Sequence, residues 1–185
     1  PPVSCSRDEL LAKALPLKGL ADAVNVTDGA GARAHLGAMA AATILHQADI
    51  EPVLQLTCRD RNRLALQSDL LGAAALGLRN LLVLRGDDPS AGDQPDAKPV
   101  FDLDSGALIQ AAVGIRDRGE LLSGRKVTGK AEFFVGAADM PIDPPADWVP
   151  KSLKAKISAG AQFAQTQFCM DIEIVRRYVA RLAEH

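Results

Sequence analysis

Apolar runs along this chain end abruptly in polar tips. Leu81-Leu82-Val83-Leu84 gives way to Arg85-Gly86-Asp87-Asp88-Pro89, and Val53-Leu54-Gln55-Leu56 to Thr57-Cys58-Arg59-Asp60. Ala23-Val24-Asn25-Val26 runs into Thr27-Asp28-Gly29, Phe133-Phe134-Val135 into Gly136-Ala137, and Phe163-Ala164-Gln165 into Thr166-Gln167. Each run precedes a segment with helical spacing, a βα rhythm of about 30 residues. The pattern predicts strands near Asp22–Thr27, Pro52–Thr57, Arg79–Leu84, Ala131–Gly136 and Gln162–Gln167.

Helices are expected from Ser6, with Glu9 at the capping-box position, and over Ala34–His46, with Leu36, Met39, Ala40, Thr43 and Ile44 on one face. Further helices are expected over Arg61–Leu76, Asp104–Arg118, Asp147–Ser158 and Ile172–Ala183. Gly29-Ala30-Gly31-Ala32 reads as a flexible turn, and Pro89–Pro99 and Asp139–Pro145 as Pro-rich loops.

Five strand–helix units with right-handed crossovers leave two architectures open, a doubly wound sheet and a (β/α)8 barrel of which this is a part. The dinucleotide-binding glycine fingerprint and the Walker A sequence are both missing. In either architecture the polar tips share the edge where parallel α/β folds bind ligands.

A chain of 185 residues, 48% hydrophobic and 24% charged, is expected to form a single domain over residues 1–185. A net charge of −2 without a basic face, and 4% aromatics, argue against nucleic acid. No run approaches the ~20 apolar residues of a membrane helix, so no membrane partner is expected. Cys5, Cys58 and Cys169 are scattered, as are His35, His46 and His185, which predicts a reducing, cytoplasmic setting and no metal site.

Candidate chemistry concentrates at the tips. Asp87 can orient a polar ligand, and Gly86 lets backbone approach a flat one. Gln167 offers a donor and an acceptor together. Thr27 and Thr57 can bond a ligand or cap the next helix, and Lys151, Lys154 and Lys156 can reach a phosphate or remain a solvated face. Cys58 has no base near it in sequence. No hydrolase triad or HExxH motif is present, which leaves chemistry carried by a cofactor.

The phrases Asn25-Val26-Thr27-Asp28, Leu56-Thr57-Cys58-Arg59-Asp60-Arg61-Asn62, Leu66–Ala73, Leu84–Pro89 and Ala159–Phe168 resemble the methylenetetrahydrofolate reductase family, its bacterial type, over about Leu15 to Arg181. The resemblance implies a (β/α)8 TIM barrel, of which this chain covers about strands two to six and lacks both ends. It also implies flavin-dependent hydride transfer from NAD(P)H to methylenetetrahydrofolate, in service of methionine synthesis. FAD is the expected flavin ahead of FMN or no flavin. Thr27, Gln55, Arg85, Gly86, Asp87, Gly136, Ala137 and Lys156 match cofactor-contacting positions, and Asp87 and Gln167 match catalytic and folate-contacting ones.

Gln55 stands where a histidine is frequent in the family, Ala138 where a tyrosine is, and Ala155 where an arginine is. The family's acidic glutamate belongs to a strand expected just before Pro1-Pro2, so the segment alone is expected to be inactive. A homo-oligomer is compatible with this reading. The alternative is a folate-binding barrel without reductase activity, such as a methyltransferase or a partner subunit in a one-carbon complex.

Overall fold

The computed structural model describes residues 1–185. Five strands, β1 (Val24–Val26), β2 (Pro52–Thr57), β3 (Asn80–Leu84), β4 (Phe134–Asp139) and β5 (Phe163–Thr166), form one sheet in sequential order. Every neighbouring pair is parallel. The intervening helices are α2 (Ala38–Gln47), α3 (Arg63–Ala75), α4 (Ser105–Arg118) and α5 (Lys151–Ser158), with α1 (Arg7–Ala14) before the sheet and α6 (Ile172–Leu182) after it.

This order decides between the two architectures. A doubly wound sheet reverses its strand order at a switch point. Here the order never reverses, so right-handed crossovers place the helices on one face, as in a barrel wall.

One hydrogen bond measures the curvature. Asn25 Nδ2, on the first strand, donates to Gln165 Oε1, on the fifth, at 2.8 Å. Register alone carries Asn25 to Val53, Asn80 and Phe134, and the offset of Gly136 against Phe163 then carries Phe134 to Ala161. An eight-stranded barrel of shear 8 staggers about one residue per strand. Four such steps lead from Ala161 to Gln165. The five strands therefore form half of an eight-stranded barrel, with β1 and β5 facing each other across its diameter.

The two faces of the sheet divide the side chains by parity. Val26, Leu54, Leu56, Leu81, Val83, Val135 and Ala137 face the helices and are buried there. Phe134 and Phe163 stack at 4.9 Å between ring centroids on the inner face, and the Phe163 ring lies directly against Gly136. A larger residue at 136 would collide with that ring.

Local sequence explains most element boundaries. Ser6, Asn62, Asp104 and Asp171 each accept a backbone N–H as side-chain N-caps of α1, α3, α4 and α6. The expected turn at 29–32 is a 3₁₀ turn over Ala30–Ala32, with Gly29 and Gly31 both at positive φ.

Four expectations need correction. The α2 helix starts at Ala38 rather than Ala34, because Leu36 N–H bonds to Pro2 instead of opening the helix. Its buried stripe is Ala38, Ala41, Ala42 and Leu45, small residues that let it approach the strands, while Leu36, Met39 and Ile44 pack only at the margin. The fourth strand is displaced to Phe134–Asp139, so Asp139 ends a strand instead of opening a loop; Ala131 and Phe133 are buried but outside the ladder. The α5 helix begins at Lys151, after Pro150, because the preceding prolines hold the chain in turns.

Candidate active site

The strand C-termini surround a cavity of about 470 Å3. Stagger and parity stack its inner wall in layers. Asn25, Leu82 and Gln165 lie lowest, Gln55 and Ala138 above them, then Thr27, Leu84 and Gln167, with Thr57 nearest the mouth. Asp28, Gly29, Arg59, Arg85, Gly86 and Asp87 form the rim.

An ion-paired frame fixes the rim. Asp28 Oδ2 accepts from Thr57 N–H at 2.8 Å, from Thr57 Oγ1 at 3.0 Å and from Arg61 Nη2. Arg61 Nη1 donates to Asp69 at 2.8 Å, while its Nε is sealed without a partner. Thr57 thus spends its hydroxyl on Asp28 rather than on capping α3, which Asn62 does.

Arg59 is only 5% exposed and grips Asp60 at 2.7 and 2.8 Å, the Gly29 carbonyl at 3.1 Å and the Asp87 carbonyl at 3.5 Å. The bond to Asp60 holds its guanidinium above the usual basicity, against the opposing effect of burial. Its Cβ and that of Thr57 crowd Gly86, whose φ is +91°; a Cβ there would come within 3.0 and 3.1 Å of them. Glycine is required at that point for both space and conformation.

Asp87 Oδ2 accepts from the Gly31 backbone N–H at 3.0 Å, joining the tip of β3 to the loop after β1. Arg85 lies over the Phe101 ring, 4.2 Å from its centroid. The segment carrying Phe101 is moored by Asp102, which accepts from Arg63 N, Nε and Nη2 at 2.7–2.8 Å and is held at about 2 by those bonds. The end of the long loop after β3 is therefore held in place beside Arg85.

Of the residues singled out from sequence, Thr27, Gln55, Arg85, Gly86, Asp87 and Gln167 come together at this cavity. Three lie elsewhere: Gly136 beneath Phe163, Ala137 on the helix-facing side of β4, and Lys156 on α5 with its ammonium donating to the Ala138 carbonyl at 2.6 Å. Cys58 is fully buried, and burial followed by the Asp104 charge pushes its thiol up to about 11, which keeps it protonated. Sequence reading missed Asn25, Asp28, Arg59 and Gln165 as wall residues. Polar side chains at inward parity on β1 and β5 were the available signal for the two amides.

The family model for methylenetetrahydrofolate reductase matches residues 1–185. The chain belongs to the methylenetetrahydrofolate reductase family. A probable methylenetetrahydrofolate reductase (NADPH) of Caenorhabditis elegans is 29% identical over 143 residues, 75% of this chain and 19% of that protein. A 5,10-methylenetetrahydrofolate reductase of Pectobacterium carotovorum is 32% identical over 142 residues, 74% of this chain and 40% of that protein. The chain thus spans less than half the length of these reductases. Among solved structures, a 2,3-dimethylmalate lyase of the PEP mutase/isocitrate lyase superfamily aligns over 94% of this chain and 59% of its own, at a TM-score of 0.56 and 17% identity, a likeness of fold alone.

The cavity has the size and lining of a small-molecule site. Its volume falls within the ~300–1,000 Å3 of small-molecule sites. Leu82 and Leu84 offer apolar surface, Gly86 a bare backbone, and four carboxamides hydrogen-bonding edges. Gln55 is 8% exposed, yet Arg61 Nε is the one sealed polar side-chain atom without a partner, so the Gln55 amide opens onto the cavity.

Proposed function

We propose that the protein containing this chain reduces 5,10-methylenetetrahydrofolate to 5-methyltetrahydrofolate with a hydride from NAD(P)H, relayed by a flavin in the cavity at the strand tips. The observation that carries this reading is convergence. Six residues that match functional positions of the family, scattered from Thr27 to Gln167, line one cavity of about 470 Å3.

A flavin would accept the hydride from the nicotinamide and pass it to the folate. The chain's own residues would place the partners. Gly86 allows the ring to approach the backbone, Leu82 and Leu84 keep one flank dry, and Thr27 and Gln55 offer hydrogen bonds to its edge. Asp87 is anchored by Gly31 through one oxygen, and its other oxygen would face the pterin. Gln167 would orient the pterin through its amide. Close approach is the main requirement of hydride transfer, and fixed geometry of this kind lowers its barrier.

Gln55 and Ala138 stand where histidine and tyrosine are frequent in the family, so this cavity gives a flavin fewer cationic and aromatic contacts. FAD is the preferred flavin of this reading, ahead of FMN. The test is NAD(P)H oxidation by the purified whole protein with methylenetetrahydrofolate, scored by formation of methyltetrahydrofolate and by the visible absorbance of a flavin. Product with a flavin spectrum supports the full reading. Product from a colourless protein removes the flavin, and folate binding without product removes the reductase.

A further inference from the structure

The lowest layer of the cavity holds a feature that the hydride-transfer account leaves unused. Inner layers of such barrels are dominated by branched apolar side chains, and a carboxamide placed there needs its hydrogen bonds met. Here two carboxamides occupy the layer, from strands on opposite sides of the half-barrel, and they meet at 2.8 Å. The bridge joins Asn25 Nδ2 to Gln165 Oε1. It leaves Asn25 Oδ1, an acceptor, and Gln165 Nε2, a donor, without a hydrogen-bond partner in two residues that line the cavity. Below them the Phe134–Phe163 stack fills the inner face.

We propose that the Asn25–Gln165 bridge is a specificity determinant that reads the lactam edge, N–H beside C=O, of a planar heterocycle seated in the cavity. The proposal rests on the reading of this cavity as the flavin and folate site, and it adds the group recognised at the floor. An N–H of the ring donates to Asn25 Oδ1 while the adjacent carbonyl accepts from Gln165 Nε2. The uncharged pair suits an uncharged ring edge. The charged groups Asp28, Arg59, Arg85 and Asp87 all stand at the rim. Because each amide holds the other in place, the two residues act as a unit, and losing either one releases the second.

Isoalloxazines and pterins both carry such an edge, and two probe pairs distinguish them. Binding of lumiflavin against 3-methyllumiflavin, and of tetrahydrofolate against its N3-methyl pterin counterpart, is measured on the whole protein and on its Asn25→Ala and Gln165→Ala variants. Wild-type protein is expected to prefer the unmethylated member of one pair by about tenfold. Each alanine variant should abolish that preference, and the double variant should be no worse than either single one. The pair that shows the preference identifies the ring on the floor. Because the readout is a ratio within one protein, a general loss of stability does not move it. Equal binding of methylated and unmethylated probes by the wild type, or a preference retained in either variant, overturns the proposal. Wild-type reduction of methylenetetrahydrofolate, assayed alongside, reports separately on the reading of the site. Turnover without the preference rejects only the role of the bridge.

Discussion

Asp87, at the tip of β3, is tied by one carboxylate oxygen to the backbone N–H of Gly31 in the loop after β1, at 3.0 Å. The contact joins two rim segments that the sheet separates by the whole width of β2. It also divides the side chain, one oxygen holding the rim and the other making no hydrogen bond within the chain.

That division predicts how substitutions will separate. Asp87→Asn keeps an oxygen for Gly31 and loses the charge, so melting should change by no more than about 2 °C. Reduction of the folate should slow more than reduction of the flavin by NAD(P)H. Stopped-flow measurement of the two half-reactions decides, and equal slowing would refute the assigned role.

Asp28 is the central acceptor of the rim frame. Asp28→Ala strands the Thr57 N–H and hydroxyl and frees one side of the Arg61 guanidinium, whose Nε already lacks a partner. A loss of about 2–3 kcal/mol is expected in urea denaturation of the whole protein, since bonds to a charged group are being removed. An unchanged midpoint would show that the frame is not cooperative.

At Gly86 the limits are steric and conformational. Gly86→Ala must hold an L residue at φ +91° and press against the Cβ atoms of Arg59 and Thr57. A cost of about 2 kcal/mol is expected in thermal or urea unfolding. A neutral result would mean that the strand tip relaxes freely.

The Cys58 thiol supplies a pH signature. Its folded value of about 11 lies above the usual thiol range, so folding favours the protonated form. Stability from this group is complete below the unfolded value near 8.5 and is lost as pH rises toward 11. Cys58→Ala should therefore flatten the alkaline fall in melting temperature over that window. In the native protein at pH 8, a thiol reagent should reach Cys5 and spare Cys58, one being exposed and the other buried. Fast labelling of Cys58 would contradict the buried assignment.

How much of this was legible in the sequence differs from element to element. The β2 strand and the apolar run of β3 are continuous and bounded by polar tips, so their positions read directly. The fourth strand did not, because Ala131 and Phe133 are as apolar as the strand itself and only pairing with β3 excludes them. Periodicity alone left an open sheet and a barrel both standing; the family resemblance pointed to the barrel, and the strand order bears that out. Asp87, Gly86 and Arg85 were conspicuous as charge and glycine after an apolar run. Arg59 was hidden as one charge among several in Arg59-Asp60-Arg61, and its burial follows from tertiary contacts with Gly29 and Asp87. Asn25 and Gln165 lie 140 residues apart, and only barrel curvature brings them together.

The central claim is that the cavity at the strand tips is where methylenetetrahydrofolate is reduced. The most direct measurement is the rate of methyltetrahydrofolate formation from NAD(P)H by the whole protein, alongside its Asp87→Asn and Gln167→Leu variants, with folding verified by melting temperature. The account predicts turnover by the wild type and a fall of about 100-fold in each folded variant. Wild-type rates in both variants, or no methyltetrahydrofolate from the wild type, would contradict it.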